Sequence, residues 1–191
     1  AKGKTTQEAA DAILGRIRFS IEPEYADIGD ADLVVEAAIE RMDIKKAVFK
    51  KLEAAVKPEC ILSTNTSSLS ITELASAVTR KDKVIGMHFF NPPVAMKLIE
   101  IIRGGNTSDE VYQEVFTTSE EIGKTPVTVN EAPGFVVNRI LIPMINEAID
   151  LVQNGVASPE DIDTAMRLGC NHPMGPLTLG DYIGLDTCLE I

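Results

Sequence analysis

The chain has 191 residues, 45% hydrophobic and 25% charged, the composition of an ordinary globular protein with one domain or one domain and part of a second. A net charge of −11 argues against a general nucleic-acid surface, which needs clustered lysines and arginines, but allows a local site for an anionic ligand. The longest apolar run, residues 140–145, is too short to cross a bilayer, so neither nucleic acid nor a membrane is predicted as a partner.

Short apolar runs alternate with amphipathic stretches from the start of the chain to about residue 129. Continuous runs such as Leu33-Val34-Val35 are typical of strands that are covered on both faces of a parallel sheet. This alternation predicts an α/β fold, a doubly wound sheet with helices on both sides. Strands are predicted over residues 17–21, 33–38, 60–64, 83–87, 97–102 and 126–129, a helix over residues 43–56, and the tail of a helix over residues 1–16.

Two further helices have start signals in the sequence. Ser70 with Glu73, and Thr107 with Glu110, have the spacing of capping boxes, in which two side chains satisfy the first free amides of a helix. Gly123 is a suitable stop for the second of these helices.

The sequence changes in character after residue 129. Pro133-Gly134 opens a long, mostly apolar stretch that predicts a helix over residues 135–152. Ser158-Pro159 predicts the start of another helix, and the rest of the chain has the pattern of helices and turns. We therefore place a domain boundary near residue 131, with an α/β domain over residues 1–130 and an all-α domain over residues 131–191.

The three cysteines are odd in number and widely separated, and none forms a C-x-x-C pair. This pattern predicts neither a disulfide framework nor a metal site. It favours a reducing compartment, and the cytoplasm is the predicted location. The cysteines are Cys60, Cys170 and Cys188.

His88 lies at the end of a predicted strand, and Glu100 lies twelve residues later in the middle of the next one. A histidine that faces a carboxylate is suited to general acid–base chemistry, because the carboxylate fixes the tautomer and stabilises the imidazolium. The same spacing also fits a structural histidine at a strand end. The pair alone therefore leaves both interpretations open.

Motifs of a single protein family occur along nearly the whole chain. They lie at residues 63–69 (STNTSSL), 86–92 (GMHFFNP), 96–100 (MKLIE), 133–139 (PGFVVNR), 172–176 (HPMGP) and 184–186 (GLD). Together they resemble the (S)-3-hydroxyacyl-CoA dehydrogenase family, most of all its short-chain bacterial members. One departure lies at residues 91–96, where Asn-Pro-Pro-Val-Ala-Met stands in place of the family pattern Asn-Pro-x-Pro-x-Met.

The resemblance implies a Rossmann-type domain that binds NAD, with NADP left open, followed by a helical domain that completes the substrate cleft and forms a homodimer. It implies reversible oxidation of a short-chain (S)-3-hydroxyacyl-CoA to the 3-oxoacyl-CoA. No two glycines in the chain are separated by one residue, so the G-x-G-x-x-G loop is absent from it. The expectation is therefore that a segment with this loop precedes Ala1 and that the end of the helical domain follows Ile191.

The resemblance also implies roles for individual residues. His88 is expected to exchange the proton of the C3 hydroxyl, with Glu100 supporting its imidazolium. Ser67 is expected to bond the substrate oxygen at C3, and Asn138 to position the hydroxyl or thioester oxygen. As simpler alternatives, Ser67 would satisfy a turn and Asn138 would bond backbone between the domains.

The cofactor contacts that the resemblance implies lie at turns after three predicted strands and, for Lys45, on the helix that follows the first of these turns. The alternative for Glu40 and Lys45 is that they are exposed charges at a helix start. Arg139 is predicted to form an ion pair between the domains, and His172 to be a turn residue. The predicted cofactor contacts are Ala37, Glu40, Lys45, Asn65, Ser67 and Asn91.

Two other functions stay open at this point. One is a related dehydrogenase that acts on a dicarboxylic acyl-CoA or a sugar acid. The other is a structural relative that has no catalytic activity. The joint occurrence of His88, Glu100, Ser67 and Asn138 favours the enzyme.

Overall fold

A five-stranded mixed sheet forms the centre of the computed structural model, which describes residues 5–21 and 25–191. The strands are adjacent in chain order, β1-β2-β3-β4-β5. The first three are parallel, β4 is antiparallel to β3, and β5 is parallel to β4. They are β1 (Leu33–Glu36), β2 (Ile61–Thr64), β3 (Val84–Phe89), β4 (Leu98–Arg103) and β5 (Thr125–Asn130).

The helices begin largely where the sequence signals place them. Ser70, Ser108 and Ser158 each accept a hydrogen bond from a backbone amide three residues later, as N-cap residues do. Thr107 does not cap, because its hydroxyl donates instead to the carbonyl of Val84. The helices are α1 (Gln7–Leu14), α2 (Met42–Ala55), α3 (Ile71–Ala75), α4 (Asp109–Glu121), α5 (Val137–Gln153), α6 (Pro159–Gly169), α7 (Pro176–Ile183) and α8 (Leu185–Glu190), with a short 3₁₀ turn at Lys81–Lys83.

Both faces of the sheet are covered by apolar side chains, as the continuous apolar runs predicted. Because successive strand residues point to opposite faces, Leu62 packs with Phe49 of α2, whereas Ile61 belongs to a second cluster with Val111 and Val115 of α4. The doubly wound α/β fold is thereby confirmed. The sheet is not wholly parallel, because only residues 90–97 join β3 to β4, and a parallel crossover needs about a dozen residues or more.

The predicted strand at residues 17–21 is wrong. None of the described strands pairs with this segment, and Phe19 and Ile21 are 85% and 101% exposed. A strand persists only through ladder bonds to a neighbour, so apolar residues alone do not make one here. The predicted helix tail corresponds to α1, and residues 1–4 of that prediction lie outside the described residues.

Every described element after Asn130 is a helix. Pro143 lies inside the unbroken helix α5. Gly180 of α7 lies so close to Ile145 that an added Cβ would meet its side chain at 3.1 Å, which explains the small residue there. Among residues 5–21 and 25–191, no helix has both the length and the apolar content to cross a membrane.

Candidate active site

The pairing of β3 with β4 places His88 directly opposite Glu100. In an antiparallel pair, directly opposed side chains lie on the same face of the sheet. Nδ1 of His88 lies 2.7 Å from Oε2 of Glu100, and the two residues are 5% and 0% exposed. The spacing of twelve residues in the sequence therefore produces a direct, buried hydrogen bond.

The second carboxylate oxygen of Glu100 binds the start of α5. Oε1 accepts the amides of Val136 and Val137, each at 3.0 Å, which are donors that a helix N-terminus leaves without intrahelical partners. The turn before them has positive φ at Gly134 (72°) and Phe135 (50°). A Cβ at Gly134 would lie 3.0 Å from the amide nitrogen of Arg139, so the close turn that aims these amides requires glycine.

The contacts of Glu100 determine its charge. Burial alone would raise the pKa of this carboxyl group, but the hydrogen bonds from His88 and from the amides of Val137 and Val136 outweigh burial and hold the pKa below its ordinary value of 4.5. Glu100 is therefore ionised across the neutral range, which gives His88 a permanent anionic partner.

This lowered pKa predicts how stability depends on pH. As the pH falls, the unfolded chain takes up a proton at Glu100 before the folded chain does. The ionised Glu100 therefore contributes its full stabilisation of the fold above about pH 4.5, and this contribution is lost as the pH falls through the pKa of Glu100 in the folded chain. The free energy of unfolding of the wild type should therefore fall more steeply below pH 4.5 than that of Glu100→Gln. Urea unfolding at several pH values measures both slopes; equal slopes would contradict the assignment.

The other ring nitrogen of His88 faces accessible space. Rings of Phe90 and Phe135 lie 4.6 and 5.6 Å from the imidazole, centroid to centroid, and hold it on two sides. With Nδ1 bound to Glu100, Nε2 has no hydrogen-bond partner among the described residues. Among the described residues, every fully buried side-chain nitrogen or oxygen has a hydrogen-bond partner. Because Nε2 has none, it is not fully buried and is reachable from outside the protein.

Ser67 and Asn138 meet where the loop after β2 contacts α5. The side-chain amide of Asn138 donates to the backbone carbonyl of Ser67 at 3.4 Å, and Asn138 is buried in the first turn of α5. The amide of Ser67 donates to Oε1 of Glu40 at 2.7 Å. Because the amides of Val136 and Val137 bind Glu100, α5 holds the histidine pair and the serine loop at once.

Lys45 is buried rather than exposed, which overturns the alternative of a solvated helix-start charge. Its side chain is 1% exposed, and its ammonium donates to both oxygens of Glu36 and to the carbonyl of Ala38. Oε2 of Glu40 lies 3.3 Å away. The protein itself occupies the donors of Lys45, and a direct contact of Lys45 with a cofactor stays a prediction.

The remaining predicted cofactor residues lie at the same edge of the sheet or beside it. Oδ1 of Asn65 accepts the amide of Phe89 at 2.8 Å, which joins the ends of β2 and β3. Ala37 and Asn91 are exposed. Among the described residues, no hydrogen bond or ion pair joins Asn91 to the other predicted residues, and the binding roles of all three stay predictions.

Two models of one family match nearly the whole chain. The NAD binding domain of 3-hydroxyacyl-CoA dehydrogenase matches residues 1–132. The C-terminal domain of 3-hydroxyacyl-CoA dehydrogenase matches residues 134–191. The chain belongs to the 3-hydroxyacyl-CoA dehydrogenase family. The predicted family and its NAD-binding Rossmann-type fold are thereby confirmed.

Similar members of the 3-hydroxyacyl-CoA dehydrogenase family come from bacteria and animals. A 3-hydroxybutyryl-CoA dehydrogenase from Clostridioides difficile is 57% identical over 190 residues, which cover 100% of this chain and 67% of the relative. Human mitochondrial hydroxyacyl-coenzyme A dehydrogenase is 48% identical, covering 96% of this chain and 58% of the relative. The crystal structure of (S)-3-hydroxybutyryl-CoA dehydrogenase from Ralstonia eutropha has a TM-score of 0.94 and 50% identity, covering 98% of this chain and 65% of that one. The chain thus spans about two thirds or less of the length of these relatives.

Sequence reasoning missed several groups at this candidate site. Glu36 is buried at the end of β1, where a charge that closes an apolar run gives a weak signal. The amides of Val136 and Val137 have no side-chain signature. Arg139, predicted in an ion pair, forms none among the described residues and donates to the carbonyl of Pro133 instead.

Proposed function

We propose that this protein catalyses the reversible, NAD-dependent oxidation of a short-chain (S)-3-hydroxyacyl-CoA, such as 3-hydroxybutyryl-CoA, to the 3-oxoacyl-CoA. The buried His88–Glu100 pair with an accessible Nε2 carries the proposal. Supporting it, the chain is 57% identical over its whole length to the 3-hydroxybutyryl-CoA dehydrogenase from Clostridioides difficile.

Nε2 of His88 is the proton acceptor for the C3 hydroxyl in this proposal. Bound NAD supplies the acceptor for the hydride that leaves C3. As Nε2 takes the proton, the imidazole becomes an imidazolium, and the ionised Glu100 at 2.7 Å stabilises the new charge. In the reverse direction, the imidazolium returns the proton to the oxygen at C3.

Ser67 and Asn138 orient the substrate oxygen. The Ser67 hydroxyl lies on a loop whose amide and carbonyl are both bound, the first to Glu40 and the second to Asn138. A hydroxyl that is held in this way can donate to the C3 oxygen without losing much conformational freedom at the moment of reaction. The Asn138 amide keeps this loop next to α5.

The cofactor contacts follow from the same loops. Glu40 and Asn65 present polar groups at the carboxyl ends of β1 and β2, where ligands bind in open α/β sheets. Ala37, Ser67 and Asn91 complete the proposed contacts, and Lys45 serves by holding Glu40. NAD is preferred over NADP on the basis of the family, and no metal is required.

The helical part completes the protein in this proposal. Residues 1–130 form the NAD-binding domain and residues 131–191 the domain that closes the substrate cleft and forms a homodimer. Large apolar side chains lie exposed on its helices, and a partner subunit would bury such groups. They include Ile140, Leu168, Tyr182 and Leu189. The free cysteines Cys60, Cys170 and Cys188 favour the cytoplasm as the location.

The proposal predicts that the complete gene product, mixed with acetoacetyl-CoA and NADH, consumes the nicotinamide absorbance. The imidazolium of His88 supplies the proton for this reduction. A dicarboxylic 3-oxoacyl-CoA, an oxidised sugar acid and NADPH, assayed in parallel, test the substrate and cofactor preferences. Absence of any NADH consumption with acetoacetyl-CoA would remove the proposed activity.

A further inference from the structure

Glu36 is a buried carboxylate that the proposed reaction does not use. It ends β1 and is 4% exposed. Oε1 accepts the amide of Ala38 at 2.5 Å and the ammonium of Lys45 at 2.9 Å. Oε2 accepts the hydroxyl of Thr64 at 2.6 Å and the same ammonium at 3.1 Å. Both oxygens are therefore fully engaged, and they fix the ammonium of Lys45 in one place.

The ammonium in turn faces Glu40. Its distance to Oε2 of Glu40 is 3.3 Å, and the Glu40 side chain is one third exposed. An exposed glutamate at the start of a helix has many rotamers, so a fixed cation nearby selects the one that points inward. Glu36 and Lys45 thus place the carboxylate of Glu40, although Glu36 does not contact it.

Glu40 then binds the turn that contains Ser67. Its Oε1 accepts the hydroxyl of Thr66, the amide of Ser67 at 2.7 Å and the amide of Ser68 at 3.3 Å. Three donors on one oxygen define the path of this turn. An unbroken series of contacts therefore runs from Glu36 through Lys45 and Glu40 to the backbone of Ser67.

Stability alone is a poor explanation for this arrangement. Two carboxylates and one ammonium leave an excess negative charge, and removing charges from water costs about as much as their mutual attraction returns. Apolar residues at these positions would fill the same space without that cost. A network of this kind is better explained by the geometry that it imposes, which here is the position of the Ser67 loop.

We infer that Glu36 is a positioning residue that holds Ser67 in its catalytic place through Lys45 and Glu40. The inference rests on the proposed function, in which the Ser67 hydroxyl bonds the oxygen at C3. In this inference Glu36 touches neither substrate nor cofactor, and its effect on the reaction rate is indirect.

Glu36→Gln in the complete gene product tests the inference, because it keeps the size of the side chain and removes its charge. Without that charge Lys45 turns toward Glu40 and draws it from the Ser67 loop. We expect kcat for acetoacetyl-CoA reduction to fall about 10- to 100-fold, the scale of a misplaced catalytic group. KM should change little, because a bond to the reacting oxygen matters most in the transition state. Hydrogen exchange should become faster in residues 65–70.

The matched control is Glu53→Gln. Glu53 also accepts backbone amides, those of Thr79 and Arg80, and it lies 3.5 Å from the guanidinium of Arg80, in contacts separate from Ser67. This variant should lower the melting temperature while leaving kcat and the exchange of residues 65–70 unchanged. If Glu36 had only a structural role, Glu36→Gln would likewise lower the melting temperature and leave kcat and the exchange of residues 65–70 unchanged.

A double mutant tests the route through Lys45. If Glu36 acts through that ammonium, Glu36→Gln should lower kcat no further in a Lys45→Met background. Independent, additive losses would overturn the inference, and so would an unchanged kcat in Glu36→Gln. Should Glu36→Gln fail to fold, Thr64→Val removes one bond to Oε2 and also the bond that the Thr64 hydroxyl accepts from the amide of Thr66. It should lower kcat as well, and an unchanged kcat there would also overturn the inference.

The wild type separates the two proposals. An inactive wild type removes the proposed function, while an active wild type with an unaffected Glu36→Gln variant removes only the positioning role. Faster hydrogen exchange of residues 65–70 in Glu36→Gln, with no change in Glu53→Gln, supports the structural link from Glu36 to the Ser67 loop independently of activity.

Discussion

His88→Gln is expected to lower kcat for acetoacetyl-CoA reduction by about 10²- to 10⁴-fold, the usual contribution of a general acid–base group. Glutamine can still bond the carboxylate of Glu100, so the strands should keep their pairing. Its amide, however, neither accepts nor releases a proton near neutral pH. Steady-state kinetics of the complete gene product measure the loss.

The second histidine of the chain is the matched control. His172 lies in the turn before Pro173, and its backbone amide donates to the carbonyl of Met166. His172→Gln should therefore leave kcat unchanged. If His88→Gln retained more than about a tenth of wild-type kcat, the proton-transfer role would be wrong, because general acid–base catalysis contributes at least about a hundredfold.

The part of the candidate site that the sequence predicts best is the β3–β4 hairpin. His88 and Glu100 lie in two apolar runs joined by a short Pro-containing loop, and such a loop forces adjacent strands. Once the strands are adjacent, direct contact between the two side chains depends only on register. The fold class was predictable for a related reason, since continuous apolar runs between amphipathic helices indicate a sheet covered on both faces.

The contacts that sequence reasoning missed depend on distant segments. Lys45 lies in the first turn of a helix, where a charge is usually solvated, yet two acidic residues and a carbonyl enclose its ammonium. The amides that bind Glu100 come from 36 and 37 residues further along the chain. At residues 17–21 the sequence predicted an element that the structure does not have. An apolar pattern gives no strand without a neighbouring strand to pair with.

Glu100 connects the two parts of the chain as well as supporting His88. One oxygen binds the imidazole, and the other binds the first amides of α5. The helix that carries Asn138 therefore starts from the carboxylate that serves the histidine. A displacement of α5 would change the carboxylate, the imidazole and the Ser67 loop together.

Glu100→Gln should consequently be about as damaging as the loss of His88 itself. The amides of Val136 and Val137 need an acceptor, so they orient the glutamine with its oxygen toward α5. Its NH₂ group then faces Nδ1 of His88. Nδ1 must accept a hydrogen bond from this group, so the ring proton of the neutral imidazole lies on Nε2. That tautomer cannot take the proton of the C3 hydroxyl. The corresponding carboxylate-to-amide change in a Ser-His-Asp triad costs about 10⁴ in kcat, and we expect a loss of about 10²- to 10⁴-fold here.

Melting temperature and kcat, measured together, distinguish this mechanism from a loss of structure. Glu53→Gln, which also removes a carboxylate bound to two backbone amides, should lower stability without changing kcat. A Glu100→Gln enzyme with a lower melting temperature but normal kcat would show that Glu100 supports only the fold. A reduced kcat in Glu100→Gln, beside a normal kcat in Glu53→Gln, is the result that the orientation of the two amides predicts.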